Sequence, residues 1–291
     1  MTTSELLKKV RQVEIKTRGM VNQVFSGEYH SVFKGRGMEF SEVREYAYGD
    51  DIRKIDWNVT ARNNRPFIKI FEEERELTVM LVVDVSRSGS FGSVESTKME
   101  IATEICAVLA FSAIRNNDKV GLILFSDTVE KFIAPNKGRS HILRIVRELL
   151  SYEPQGRGTN ISGALQYLNN VIKKRSISFV LSDFIDQGYE NALRIVSKRH
   201  DVIAVTMNDP RERDLPKVGM IKMTDAESGS DRWIDTDDAN IRRSFAQYWR
   251  LHDEKMKRAF LSTKVDRITI ETHKPYLQPL VNFFKMRESR V

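Results

Sequence analysis

Asp84-Val85-Ser86-Arg87-Ser88 follows directly on the apolar run Leu77-Thr78-Val79-Met80-Leu81-Val82-Val83, so one carboxylate and two hydroxyls at alternate positions leave the carboxyl end of a buried strand. A loop curling over that strand end turns all three toward one point, and hard oxygen donors of this kind suit Mg²⁺ or Mn²⁺. Two later segments extend the set. Gly156-Arg157-Gly158-Thr159-Asn160 brings the hydroxyl of Thr159, and Phe179-Val180-Leu181-Ser182-Asp183 ends a second apolar run in the carboxylate of Asp183. Singly, each residue fits a plainer role, because Asp and Ser at strand ends cap helices or close turns, and Thr159-Asn160 suits the start of the helix that follows. All five in order, within an alternation of strands and helices, point instead to a divalent-cation site.

The elements that must position these residues are read from periodicity. Residues 1 to 25 form an amphipathic helix through Leu6, Leu7, Val10, Val13 and Val21, with a basic opposite face. Residues 27–65 are rich in Gly, charge and aromatics without a long period, and read as irregular structure with short strands or turns. From residue 66 onward, strands at 66–71, 77–83, 120–125, 177–181 and 202–206 alternate with helices at 99–114, 140–150, 160–172 and 190–198, and 128–133 pairs back on 120–125 as a hairpin. Residues 219–224 and 233–235 read as an edge hairpin around Gly229, followed by a long helix from about 237, a short strand at 268–270 and a last helix ending near Arg287. This pattern predicts an α/β fold with a mostly parallel, doubly wound sheet. Ligands in such sheets bind outside the carboxyl ends of the strands, where strand order reverses, and Asp84 and Asp183 must share that side.

The pattern D-x-S-x-S, a distant Thr and a distant Asp resembles the metal-ion-dependent adhesion site of von Willebrand factor type A domains. Further segments, Gly37-Met38-Glu39-Phe40, Arg44-Glu45-Tyr46, Gly49-Asp50-Asp51-Ile52-Arg53-Lys54-Ile55-Asp56-Trp57 and Thr60-Ala61-Arg62, are similar to the N-terminal signature of the bacterial "domain of unknown function 58" family, whose members carry a von Willebrand A-like domain. His200-Asp201-Val202-Ile203-Ala204 and Asp209-Pro210-Arg211-Glu212 match later motifs of that family, so the resemblance spans nearly the whole chain. Gly89 departs from it, since Met is expected there, but every ligand position is intact. The resemblance implies that Ser86, Ser88 and Thr159 ligate the ion directly or through water, and that Asp84 and Asp183 supply charge. Three neutral hydroxyls and two carboxylates leave a coordination position open to a carboxylate of a partner protein. It also implies a partnership with a MoxR-type AAA+ ATPase in a chaperone-like system that remodels or matures other proteins.

Within the signature, Asp50, Asp51 and Asp56 lie among Arg44, Arg53 and Arg62, which predicts charge-paired networks, with Trp57 packed as an apolar anchor. Asp209-Pro210-Arg211-Glu212 reads as a turn. The 291 residues, 41% hydrophobic, suffice for one main core with attached elements, and we expect three regions: 1–75, the helix and signature region; 76–236, the von Willebrand A-like domain; and 237–291, a basic, mainly helical segment. The single Cys106 lies in an apolar helical run and is expected to be a core residue, with no disulfide possible within the chain.

Several functions are disfavoured by what the chain lacks. It has no G-x-x-x-x-G-K-[ST] phosphate loop, no H-E-x-x-H, no C-x-x-C and no G-x-S-x-G, and His30, His141, His200, His252 and His273 are scattered singly. A phosphatase of the aspartyl-phosphate type places a second Asp two residues after the first, where this chain has Ser86. The expectation is therefore a non-enzymatic, metal-dependent interaction module, with a metal-dependent phosphoesterase a distant third. The runner-up is a nucleic-acid or membrane-surface binder: residues 241–291 hold 12 Lys and Arg against 5 Asp and Glu, the whole of the net charge of +7. Neither a secretory leader nor a membrane-spanning stretch is evident, so a cytoplasmic location is expected.

Overall fold

Thr78–Asp84 (β3) is apolar at every position but its ends, and a strand of that composition must be covered on both faces. The computed structural model, which describes residues 3–24, 38–73, 76–90, 97–156, 158–224 and 230–290, places it at the centre of a six-stranded sheet. Its neighbours are Lys119–Phe125 (β4), Val129–Asn136 (β5), Ile177–Ser182 (β6), Asp201–Asn208 (β7) and Asp266–Glu271 (β10), in the order β10-β7-β6-β3-β4-β5. Only β5 runs antiparallel, returning along β4 as its hairpin partner. From β3 the chain builds outward through β4 to β5, then crosses to β6 on the other side of β3 and continues to β7 and β10. Strand order therefore reverses between β3 and β6, the strands that end in Asp84 and just before Asp183.

Alternate residues of β3 serve the two faces. Met80 and Val82 join Ile123, Phe125 and Val180 in a core closed by Ile161–Val171 (α5), Glu190–Val196 (α6) and Ala239–Thr263 (α8), through Leu165, Leu168, Leu193, Met256 and Phe260. Against the other face lies Lys98–Arg115 (α3), packed beside Thr3–Val24 (α1) and Arg139–Ser151 (α4). The helix α3 is apolar nearly all round because it has neighbours nearly all round, and Cys106 is fully buried within it. The final helix, Leu277–Glu288 (α9), packs on β10. Met220–Thr224 (β8) and Asp231–Asp235 (β9) form a two-stranded ribbon of their own, separate from the main sheet; Gly229 lies outside the described residues.

Contacts divide the chain into two compact units: Met1–Val32 with Thr78–Val291, and Phe33–Leu77. The second unit is more regular than its composition suggests. Met38–Glu45 (β1) pairs antiparallel with Phe67–Glu73 (β2), with a bulge between Phe40 and Glu42. Arg44 grips Asp50 with both terminal nitrogens, at 2.8 and 2.7 Å, confirming one expected charge pair. The other two aspartates act chiefly as caps: Asp51 accepts from the backbone of Arg53, and Asp56 accepts from Asn58 and Val59 at the start of Trp57–Asn63 (α2). Trp57 is not the packed anchor expected of it. It is the first residue of a seven-residue helix and stands 70% exposed.

Candidate metal centre

The strand β3 ends because Asp84 folds the chain back on itself. One carboxylate oxygen, Oδ1, accepts from the Ser86 backbone N–H at 2.9 Å, and the next residues form a 3-10 turn, Arg87–Ser90, with Gly89 N donating to Ser86 O at 3.0 Å. This curl sets the hydroxyls of Ser86 and Ser88 3.0 Å apart, a spacing suited to two oxygens facing one cation. At the expected Met position, Gly89, an added Cβ would approach nothing among the described residues closer than the Asp84 carbonyl at 3.9 Å.

Across the switch point, the Ser182 hydroxyl donates to Asp84 Oδ2 at 2.6 Å and accepts from Phe184 N–H at 3.0 Å. Phe184 adopts a left-handed backbone conformation, φ 57°, unusual for an aromatic residue, and its ring is locked edge-on against Tyr189 and Phe260. That turn holds Asp183, which accepts from Ile185 N at 3.3 Å. Asp84, Ser86 and Asp183 are all buried. Burial first, and then the charge of Asp183, push the Asp84 carboxyl up to about 6 against the hydrogen bonds of Ser182 and Ser86.

A cation already belongs to this cluster. Lys98, 1% exposed, donates to Asp183 Oδ2 at 3.0 Å and to Glu212 Oε1 at 2.6 Å. Burial works against its charge, yet the two carboxylates outweigh burial and raise its pKa; burial in turn raises that of Glu212 against the pull of Lys98. Lys98 opens α3 behind a capping box of Thr97 and Glu100, and Glu212 sits in the short helix Pro210–Arg213 (α7), capped by Asp209. The segment read as a turn is thus a capped four-residue helix, and it delivers a carboxylate. Lys98, Ser182 and Glu212 escaped the reading of the sequence, although Ser182 and Glu212 both stand inside motifs singled out there.

Thr159 is half-buried in the loop from α4 to α5, and no described hydrogen bond joins it to the other four predicted residues. Its neighbours nonetheless tie this loop to the same edge of the sheet. Asn160 N donates to Ser126 O at 2.8 Å, Ser126 follows Phe125, and Phe125 pairs with Asp84. Ile161 N donates to Asp186 just beyond Asp183, and Asn160 caps α5 through Gly163 N. Glu130 on β5 fastens the far side, accepting from Ser126 and Tyr152 hydroxyls and from the backbone of Gln155 and Gly156. Burial raises its carboxyl, but these donors prevail and hold it below its ordinary value.

The donor set is all oxygen, with paired hydroxyls and two buried carboxylates, and it fits a hard divalent cation. Ser86 and Ser88 could hold such an ion directly, Thr159 could add a third hydroxyl, and Asp84 and Asp183 could balance its charge. Among the described residues no three His, Cys, Asp or Glu cluster as a ligand set. Beside the Asp183 loop, a cleft of about 210 Å³ runs between Ile185, Asp186 and Tyr189 and the α8 residues Tyr248, Leu251 and His252.

Known proteins resemble this chain in sequence and in fold. A family model described as "Protein of unknown function DUF58" matches residues 42–255. The chain is 28% identical over 286 residues to the uncharacterized protein Rv1480 of Mycobacterium tuberculosis (strain ATCC 25618 / H37Rv), covering 97% of this chain and 90% of that one. In structure it resembles an aerotolerance-related membrane protein from Bacteroides fragilis NCTC 9343, crystallised with multiple mutations to serines, at 16% identity and TM-score 0.50 over 74% of this chain and 100% of that one. The SpRpn10 VWA domain also matches, at 12% identity and TM-score 0.40, over 72% of this chain and 95% of that one.

Proposed function

The chain belongs to the DUF58 family and has a von Willebrand A-like fold, and on that premise we propose that it is a non-enzymatic adapter that presents a Mg²⁺ or Mn²⁺ ion to an acidic residue of a partner protein. The observation that carries this reading is the meeting of Asp84, Ser86, Ser88 and Asp183 at the point where strand order reverses. A bound ion would supply a coordination position for a partner carboxylate, and the protein's own part is to hold the hydroxyls in place and the counter-charge behind them. The adjoining cleft at Tyr248 and His252 would receive the partner's neighbouring side chains.

Resemblance to the family suggests a MoxR-type AAA+ ATPase as that partner, in protein remodelling or maturation in a bacterial cytoplasm. The ATPase would consume the nucleotide, since this chain has no phosphate loop. No helix among the described residues is long and apolar enough to cross a membrane. Two observations weigh on the other readings. Both oxygens of Asp84 already accept hydrogen bonds, which ill suits a nucleophile. Several C-terminal basic residues are engaged within the protein, Arg267 with Asp253 and Arg287 with Asp201 and Asp266, which reduces the basic face on offer to nucleic acid.

The test is thermal unfolding of wild type and Asp84→Ala, first in chelator and then with excess Mg²⁺ or Mn²⁺. An ion that binds only the folded state contributes about 2.7 kcal/mol at a hundredfold excess over Kd, which in a chain of this size raises the midpoint by roughly 4 °C. The rise should appear in wild type alone, and co-sedimentation with the ATPase should vanish in chelator. Equal responses in the two proteins would sink the reading.

A further inference from the structure

Among the described residues Lys98 is the largest side chain to be buried as a cation, and it sits on a carboxylate that the proposed cation site needs. Both oxygens of Asp183 are already engaged: Oδ1 accepts from Ile185 N at 3.3 Å, and Oδ2, the one facing the rival charge, accepts from the Lys98 ammonium at 3.0 Å. The ammonium cannot drift away from the cluster, because its residue opens α3 behind the Thr97–Glu100 capping box and its second contact, Glu212 at 2.6 Å, is itself fixed by the cap at Asp209. Two acids, Asp183 and Glu212, therefore meet one internal positive charge. A divalent ion arriving at the Ser86 and Ser88 hydroxyls meets the same charge as a repulsion and as a rival for Asp183.

We propose that Lys98 is an affinity-setting residue, an internal ammonium that competes with the divalent cation for Asp183, and that Glu212 is the second seat to which the ammonium retires when the cation binds. This deepens the cation reading above and rests on it. With the site unloaded, Lys98 bridges Asp183 and Glu212 and keeps the carboxylate cluster together. With the site loaded, Asp183 turns to the ion while Lys98 stays paired with Glu212, so neither charge is left bare in the interior. Loading then draws on the first turn of α3 and on α7, two elements that carry no ligand of their own.

The experiment is calorimetric titration with Mn²⁺ of wild type, Lys98→Met and Glu212→Gln, each first checked for a cooperative thermal melt. Lys98→Met removes both rival and repulsion and should bind roughly tenfold more tightly than wild type. Glu212→Gln deprives the ammonium of its charged second seat, commits it to Asp183 and should bind several-fold more weakly. The opposite signs make the test hold even where Lys98→Met, which leaves two acids unpaired in the interior, fails to fold. Lys98→Met binding no tighter than wild type, or Glu212→Gln binding no weaker, overturns the inference while leaving the cation site in place. Absence of heat in all three overturns the cation reading itself, and the inference falls with it.

Discussion

Asp84 shows how one residue can be both a liability to the fold and the reason for the site. Its carboxyl is pushed up to about 6 by burial and by Asp183, from an ordinary value near 3.8. The folded protein therefore holds that proton more tightly than the unfolded chain, so the group contributes most to stability at and below pH ~4 and loses that contribution as pH rises through ~6. In chelator, Asp84→Asn should accordingly raise the melting midpoint relative to wild type above pH 6 and change it little near pH 4. A series of melts from pH 4 to 8 checks this, and a wild-type-minus-variant difference that stays flat across the series would show that Asp84 does not titrate in that window. On the proposed reading, a divalent charge at Ser86 and Ser88 would offset the cost of keeping Asp84 ionised beside Asp183.

At the scale of elements, the fourth predicted ligand depends on a loop rather than on a strand. Gly156 lies so close to the end of β4 that an added Cβ would fall 2.0 Å from Asp127 Oδ1 and 2.1 Å from Ser126 Oγ. Gly156→Ala must therefore displace the side chains of Asp127 and Ser126 and loosen the clamp of Ser126 and Glu130 on this loop, at a cost of roughly 1–3 kcal/mol in a denaturant melt, and the loosened loop should carry Thr159 with it so that the cation-induced rise in midpoint shrinks. A variant with unchanged stability and an unchanged cation response would show that this clamp is idle. The central strands were legible because Thr78–Asp84 and Ile177–Ser182 are buried on both faces and so read as continuous apolar runs that stop at a polar residue. Met38–Glu45 was not, because Glu39, Glu42 and Arg44 interrupt it and the bulge after Phe40 breaks the period of two. Trp57–Asn63 is too short to show a period of 3.6 residues, although its cap at Asp56 stood in plain view. Of the site, the residues at strand ends could be found from strand length alone. Lys98 could not, since a lysine in the first turn of a helix ordinarily faces water, and only the arrival of two carboxylates distant in sequence, Asp183 and Glu212, makes its burial tolerable.

At the scale of the whole molecule, the basic C-terminal segment is bound into the domain. Arg287 reaches from α9 to Asp201 at the start of β7 and to Asp266 at the start of β10, both at 2.7 Å, so part of the net positive charge holds the sheet's edge together. The sheet, its two helical layers and this edge leave one nucleophilic sulfur in the chain, Cys106, on the helix that both α1 and α4 cover, and burial pushes its thiol upward and away from reactivity. The native sequence thereby carries its own clock. A thiol reagent can mark Cys106 only while the fold around α3 has opened, so labelling under native conditions counts openings of the domain without any engineered probe. Mn²⁺ should slow that clock in wild type by the factor through which it stabilises the fold, and leave it unaltered in Asp84→Ala; rapid labelling in the folded protein, indifferent to the ion, would mean that this face of the sheet opens independently of the site it supports.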